Sequence, residues 1–296
     1  EAYIYATKVI ADGHYPLASD YREIFLADNN TCKEIIWPLV QDGLRAQSSA
    51  GTNFYVKAFV NGPMDELYKT GVGSRGWGNV RAKVSLVDAF DADDVMFDGN
   101  DTWGNNKKDK RAQFMTALPN QVKDTWDVNM DMTSTFTCGY GYIKWRNVTK
   151  EDELSASGDA YTSIDFPLFR TADAYLMAAE AILRGASGTK SEALGYVNEV
   201  RTRAYMSGKY AKNGVRSDVS GEIGANELDL DFLLLERQKE LASELIRRTD
   251  LIRFGKYTKG NNWDWKNGVR LGEDVDDKYN LFPIPESELT NNPTLV

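Results

Sequence analysis

The chain has 296 residues, 42% of them hydrophobic and 27% charged, with a formal net charge of −9 and an isoelectric point near 4.9. That length holds one large domain or two ordinary ones, with a real core. The acidic balance argues against a nucleic-acid partner, whose phosphates demand Lys/Arg excess, and against a basic membrane-surface patch. No apolar run approaches the roughly 20 residues of a spanning helix.

The opening "EAYIYATKVIADGHYPL" keeps helical spacing at Tyr3, Ala6, Val9 and Ile10, with no Ser/Thr/Asp cap before it. It reads as a helix already under way, so the chain is expected to be a fragment with any targeting segment upstream. His14, the only histidine, sits in the turn-like "DGHYPL". Most Ser-His-Asp and Cys-His mechanisms are removed unless His14 is the base, and its place in a turn favours a structural or surface role. Cys32 and Cys138 make no CxxC zinc site; they either pair or stay free, and free and inert is the default. Residues 1–42 thus comprise the end of a repeat helix and a connecting turn. "SDYREIFLADNN" adds a short helical turn, and "KEIIWPLV" a short apolar strand or buried segment.

Residues 43–165 are rich in Gly, Asn, Asp and aromatics with weak periodicity, and read as long ordered loops with a few strands. "GVGSRG" matches GxGxxG, but "MDELYKT" precedes it and "WGNVRAK" follows, so a turn is preferred to a dinucleotide site. The Asp91–Asp101 loop, "DADDVMFDGND", carries enough carboxylates to be a candidate for Ca2+, yet it lacks EF-hand spacing and is read first as a solvated acidic loop. No other metal site and no cofactor is expected. Trp77, Trp103, Trp126, Tyr140 and Tyr142 share this block with Asn100, Asp101, Asn105 and Asn106. Sugar rings offer C–H faces to flat aromatics and hydroxyls to amides and carboxylates, so this constellation fits carbohydrate. The competing reading is that Trp126 and Trp145 are simply core.

Residues 166–206 form a helical hairpin. "FRTADAYLMAAEAILRG" repeats apolar residues at helical spacing, Gly185 stops it, and Thr189 with Glu192 offers a capping box for "GTKSEALGYVNEVRTRA". Alanine-rich hairpins with a short turn mark tetratricopeptide-type repeats. Residues 207–296 give a helix spanning 226–254 and a Pro-rich tail with a helical turn at Glu286–Leu289. The expected fold class is therefore mainly α: tetratricopeptide-like helical repeats (an α/α superhelix) with a large loop-rich insertion containing a few short strands.

"LLLERQKELASELIRRTDLIRFGKY" sets Glu236, Glu240 and Glu244 one helical turn apart. On a continuous helix Leu230, Leu234, Leu241, Leu245 and Ile252 fall within about 40° of one another as the core stripe. Glu236, Glu240 and Arg247 lie on a second face, with Glu244 at its edge. Pairing of Arg237 with Glu240, and of Glu244 with Arg247 or Arg248, is expected at i+3 and i+4. Glu236 and Glu240 could be a glycosidase's carboxylate pair. But acids on one helical face beside arginines favour a charged structural brace of Glu236, Arg237, Glu240, Glu244, Arg247, Asp250 and Arg253, with its carboxylates ionised and no catalytic residue among them.

The stretches "YATKVIADGHYPL", "EIIWPL", "FRTADAYLMAAEAILRG", "ALGYVNEVRTRA", "LLLERQKELASELIRRTDLIRFGKY" and "LFPIPESELTNNPTL" occur in an order that resembles the SusD/RagB family of outer-membrane nutrient-binding lipoproteins, over nearly the whole chain. Where that family usually has Glu-Gly-x-Arg, this chain has Glu244-Leu245-Ile246-Arg247, a change expected only to stiffen the helix. The resemblance implies a single SusD-like domain over 1–296 that is not an enzyme. It implies a cell-surface location at the outer membrane through an N-terminal lipid that this chain lacks. It also implies capture of oligosaccharide or polysaccharide and delivery to a SusC-like TonB-dependent transporter. The family's ligand contacts are not fixed by motif. The ligand-binding candidates, from composition and loop position, are Trp77, Trp103, Asn100, Asp101, Asn105 and Tyr140. The alternatives are a glycoside hydrolase using Glu236 and Glu240, and a transporter-clamping scaffold without its own ligand.

Overall fold

The structure, a computed structural model, describes all residues except 50, 61–64, 118–120, 122, 124–137, 213–217, 261–262, 264–265, 270–271, 293 and 295–296. Trp126, one of the candidate aromatics, lies outside the described residues. Two compact units divide the chain at Glu244 and Leu245.

The first unit opens with α1 (Ala2–Asp12), which ends where Gly13 adopts a left-handed φ of 67°. Strand β1 (Ile35–Leu39) follows, then a run of short helices: α2 (Thr52–Lys57), α3 (Asp65–Tyr68), α4 (Val84–Val87) and α5 (Ala92–Val95). Two more two-residue strands, β2 (Phe114–Met115) and β3 (Gly141–Tyr142), pair antiparallel inside the insertion. Strand β4 (Phe166–Arg170) pairs antiparallel with β1, with Ile35 opposite Arg170 and Leu39 opposite Phe166. Pro38 faces Pro167 in this ladder, which costs amide donors and suits a two-stranded ribbon rather than a wide sheet.

β4 runs directly into α6 (Thr171–Leu183), which returns as α7 (Lys190–Ala204). The capping box is formed in full: the Glu192 amide donates to Thr189 Oγ1 at 3.2 Å, and the Thr189 amide donates to Glu192 Oε2 at 2.6 Å. Ala172, Ala179, Ala193, Val197 and Val200 are buried between the helices with Leu176 and Leu233, so the small side chains permit the close approach expected of a tetratricopeptide-like hairpin. α1 packs on α6, and so does α8 (Leu230–Glu240). A second core lies beneath the insertion, where Trp145 stacks on Phe166 at 5.5 Å with Tyr21, Phe25 and Val56 around them.

The long helix expected over 226–254 is broken. α8 stops at Glu240, and α9 (Arg247–Arg253) belongs to the second unit. Between them Ser243 and Leu245 have positive φ values of 62° and 63°. At its end side chains take the carbonyls: Arg170 donates to the Glu240 carbonyl at 2.8 Å and the neutral Tyr21 hydroxyl to the same carbonyl at 3.1 Å, while Lys144 donates to the Ala242 carbonyl, just past the helix, at 2.8 Å. The single apolar stripe fails with it: Leu234 and Leu241 are buried, whereas Leu245 is 74% exposed. Leu245 therefore occupies a left-handed backbone that a glycine would adopt without strain, and the stiffer helix expected there is not formed. In the second unit Asp250 pairs with Arg253 at 2.8 Å, Arg248 lies over Phe282 at 4.2 Å, and α10 (Glu286–Asn291) follows Pro285.

Candidate functional site

Glu236 and Glu240 of α8, and Glu244 just beyond it, are buried, and their partners come from far along the chain. Glu240 accepts from Arg170 at 2.7 Å, from Arg111 at 3.2 Å and from Arg203. Glu236 accepts from Arg111 at 2.6 Å and from Arg201 at 2.5 Å. Glu244 is held by Arg170 at 2.7 Å and by Lys144. Glu34, just before β1, joins Arg170 at 2.8 Å to Arg203 at 2.7 Å, while Asp109 fixes Arg111 at 2.8 Å. The i+3 pairing expected for Arg237 and Glu240 is replaced: Arg237 pairs with Asp173 of α6 at 2.8 Å. Burial forces this choice, because a buried charge needs its counter-ion wherever the fold supplies one.

This network decides the chemistry of Glu240. Burial alone would raise its pKa, but Arg203, then Arg170 and Arg111, outweigh burial and lower it from 4.5 to about 2. A carboxyl at 0% exposure that stays ionised can neither reach a glycosidic oxygen nor donate a proton to it. The Glu236/Glu240 hydrolase alternative is corrected on that ground.

Three aspartates of the 91–101 loop, Asp94, Asp98 and Asp101, turn to backbone amides, while Asp91 pairs with Lys108 at 3.6 Å. Asp94 accepts from the Lys108 and Asp109 amides at 2.6 and 3.0 Å, and Asp98 from the Asn100 amide at 3.0 Å. Asp101 accepts from the Asn105 and Asn106 amides at 2.7 and 2.5 Å. Among the described residues no three His, Cys, Asp or Glu are grouped to hold a metal ion, so the Ca2+ candidate at Asp91–Asp101 finds no converging ligand set.

The ligand-binding candidates separate into three environments. Tyr140 is buried among Phe59, Ala82 and Val87, so its ring offers no open face to a sugar. Asp101, also buried, organises its own loop. Trp103 and Asn105 in that loop are tied together by Arg22, which donates to the Trp103 carbonyl at 2.6 Å and to Asn105 Oδ1 at 2.8 Å. The Arg146 guanidinium backs the Trp103 ring at 4.6 Å, and a recess of about 190 Å³ beside it is lined by Glu23, Trp103, Asn105 and Lys150. Asn100 is exposed nearby in sequence.

Trp77 stands in the third environment. It is 40% exposed, and its ring lies 6.5 Å from that of Phe54, itself 45% exposed, with 59° between the planes. Phe54 projects from α2, whose Thr52, Asn53, Val56 and Lys57 are buried, so the helix is anchored on one side and shows an aromatic on the other. The Trp77 amide donates to the Lys57 carbonyl at 2.7 Å, and the Lys57 ammonium lies 5.8 Å over the Tyr161 ring while donating to the Ala160 carbonyl. Burial, then Arg75, lowers the Lys57 pKa. Arg75 pairs with Asp159 at 3.1 Å at the solvent edge. The result is an open aromatic face flanked by polar groups of both signs. Phe54 and Tyr161 were missed in the sequence; the only signal was an aromatic inside a short apolar run, which core residues share.

A second exposed pair, Trp37 and Phe169, lies on the β1–β4 ribbon with ring centroids 6.2 Å apart. A recess of about 320 Å³ beside Phe169 is lined mostly by apolar groups, Tyr5, Ala6, Val9, Ile36 and Met177, together with Arg170 and Asp173, whose charged groups are paired in the buried network. Arg170 and Asp173 are buried, whereas Arg75, close in sequence to Trp77, and its partner Asp159 are exposed to solvent.

The α6–α7 hairpin packed with α1 and α8, and an insertion of short helices and strands, define a tetratricopeptide-like scaffold whose exposed aromatic pairs stand on α2 with the Trp77 segment and on the β1–β4 ribbon. The chain belongs to the SusD family, whose sequence profile matches residues 33–296. It is 31% identical to the starch-binding protein SusD of Bacteroides thetaiotaomicron, over 97% of this chain and 53% of that protein. It is 25% identical to the SusD-like protein P25 of Formosa agariphila, over 98% of this chain and 52% of that one. The chain thus spans about half the length of these curated relatives. A surface glycan-binding protein A of Bacteroides thetaiotaomicron, solved with laminarihexaose, superposes with a TM-score of 0.63 at 22% identity, covering 99% of this chain and 58% of that one.

Proposed function

We propose that this chain is the recognition part of a non-enzymatic, cell-surface glycan-binding protein, and that Phe54 and Trp77 form the platform on which the glycan lies. The observation that carries this reading is the exposed ring pair with polar groups of both signs beside it. Aromatic faces receive the C–H faces of sugars, and the Arg75–Asp159 pair offers donors and acceptors to hydroxyls. Family membership supports the reading, as do the names of two relatives, one starch-binding and one solved with a glucan oligosaccharide. Trp103 and Asn105 line a separate recess and rank second as ligand contacts.

In this reading the captured oligosaccharide is passed to a SusC-like TonB-dependent transporter, and the protein is held at the outer membrane by an N-terminal lipid. The test is titration calorimetry of the chain against a panel of neutral oligosaccharides, with Trp77→Ala beside it. Binding that weakens about tenfold or more in the variant, at unchanged thermal stability, is expected. Absence of binding to every glycan, or binding that Trp77→Ala leaves intact, overturns the assignment.

A further inference from the structure

The recess beside Trp103 has the parts of a second binding site. On the reading of this chain as a glycan-binding protein, we infer that the recess takes one end of a neutral, polyhydroxylated chain, with a sugar unit stacked on Trp103, independently of the Phe54–Trp77 platform.

Trp103 is half-buried, and its ring has a rigid backing. The Arg146 guanidinium lies over the ring at 4.6 Å and is itself tied to the Tyr68 and Thr102 carbonyls at 2.9 and 3.1 Å and to Gln113 Oε1 at 2.7 Å. One face of the indole is thus closed by a fixed cation, and the opposite face is the one left for a flat apolar partner. Arg22 fixes the same loop. Its five N–H donors are all committed: two to Asp20 at 2.9 and 2.6 Å, one to the Trp103 carbonyl, one to Asn105 Oδ1 and one to Met206 Sδ at 3.8 Å. A ligand phosphate or carboxylate therefore finds no free guanidinium here, and the Asp20 and Glu23 carboxylates in the lining repel it.

The groups that remain suit hydroxyls. Asn105 gives its Oδ1 to Arg22, and its Nδ2 amide has no acceptor among the described residues; neither has the Trp103 indole N–H. Glu23 accepts from Lys212 at 3.0 Å and from the Ser19 hydroxyl at 3.4 Å. That occupies two of the about four acceptor positions of a carboxylate. The exposed Lys150 ammonium meets Glu151 only at 4.0 Å. A hydroxyl both donates and accepts, so a polyol serves all four groups, whereas a singly charged ligand is opposed by one of them.

Size points the same way. The recess of about 190 Å³ shares Glu23 and Lys150 with a neighbouring one of about 250 Å³, whose further lining includes Ser19, Asp28, Thr31 and Lys33. Either alone falls below the roughly 300 Å³ at which pockets hold drug-sized ligands, and the two in series enter that range. One sugar unit sits at Trp103 and the next lies in the polar extension, where the lining holds no aromatic ring. With one ring against the platform's two, this is the weaker site.

The experiment is fluorine NMR of the full chain carrying 5-fluorotryptophan, titrated with maltohexaose, laminarihexaose and inorganic phosphate. Trp77→Phe and Trp103→Phe assign the two signals. With at least one hexaose the Trp103 signal should shift saturably, at half-saturation about tenfold or more above that of Trp77, and should still do so in Trp77→Ala. Phosphate should leave it in place. Glu23→Gln and Lys150→Ala should weaken the Trp103 response about threefold or more, with the Trp77 response and the melting temperature unchanged. A Trp103 signal that stays still, or moves only while Trp77 is present, overturns the second site and leaves the platform standing. A shift at Trp103 without one at Trp77 overturns the platform and leaves the second site standing. A Trp103 response to phosphate overturns the neutral ligand class, and one that ignores both Glu23→Gln and Lys150→Ala overturns the recess as its location. If neither hexaose moves either signal, the second site is overturned, and the wider panel of neutral oligosaccharides decides separately whether the glycan reading fails.

Discussion

Replacing Glu240 by Gln removes one negative charge from the centre of the buried network while keeping the shape of the side chain. Two routes give the cost. Lowering the carboxyl from 4.5 to about 2 on folding corresponds to roughly 3 kcal/mol, at about 1.4 kcal/mol per pH unit. Breaking a buried pair by neutralising one partner costs about 3–5 kcal/mol, because the cations left behind lose their compensation. Arg111, Arg170 and Arg203 are all left short of a counter-charge by this one change. The sign of the pH dependence follows from the lowered pKa. The stabilisation from Glu240 is fully present above the unfolded value of 4.5 and is lost as pH falls through that value toward about 2. Urea unfolding of the chain and of Glu240→Gln, run from neutral pH to the acid limit of stability, measures the difference directly. It should be about 3 kcal/mol at neutral pH and shrink to roughly half or less near about pH 3. A difference below about 1 kcal/mol at neutral pH, or one that does not change with pH, would refute a buried, ionised Glu240 at the hub.

Leu245→Gly should stabilise the protein by about 1 kcal/mol, since a left-handed leucine costs about 1–2 kcal/mol and its exposed side chain has little packing to lose; a thermal melt that falls instead would refute strain at this position. Thr189→Ala should cost about 1 kcal/mol by removing the capping box of α7, read as a lower urea midpoint with unchanged slope. Asp101→Ala should cost about 1–3 kcal/mol through the lost acceptor of the Asn105 and Asn106 amides. It should leave oligosaccharide affinity at the Phe54–Trp77 platform unchanged, and calorimetry showing a matching loss of binding would return Asp101 to the ligand contacts.

The hairpin of α6 and α7 was legible because its causes are local. Alanine spacing, the Gly185 stop and the Thr189–Glu192 box all act within a few residues, and the structure forms each of them. The charged register of Glu236, Glu240 and Glu244 was equally visible, but its partners were not. Arg111, Lys144, Arg170 and Arg203 lie between 37 and 129 positions from the glutamates they hold. Helical spacing names only neighbours on the same helix, so it assigned Arg237 to Glu240 where the fold gives it Asp173. It also continued the helix through Leu245, because no local residue announces that Arg170, Tyr21 and Lys144 will take the carbonyls at its end.

The aromatic block shows the same division. Its composition pointed to ordered loops with rings and amides, but composition cannot tell a ring facing solvent from one facing the core. Tyr140 and Tyr142 went inward, Trp77 stayed at the surface, and Phe54 joined it from a helix read only as part of a loop. By itself the sequence determined the helical hairpin, the capping and the family, all of which rest on residues close together or in a fixed order. Tertiary structure alone decided which charges meet, where the last long helix stops, and which two rings stand 59° apart in the open, because each depends on segments brought together only when the core closes.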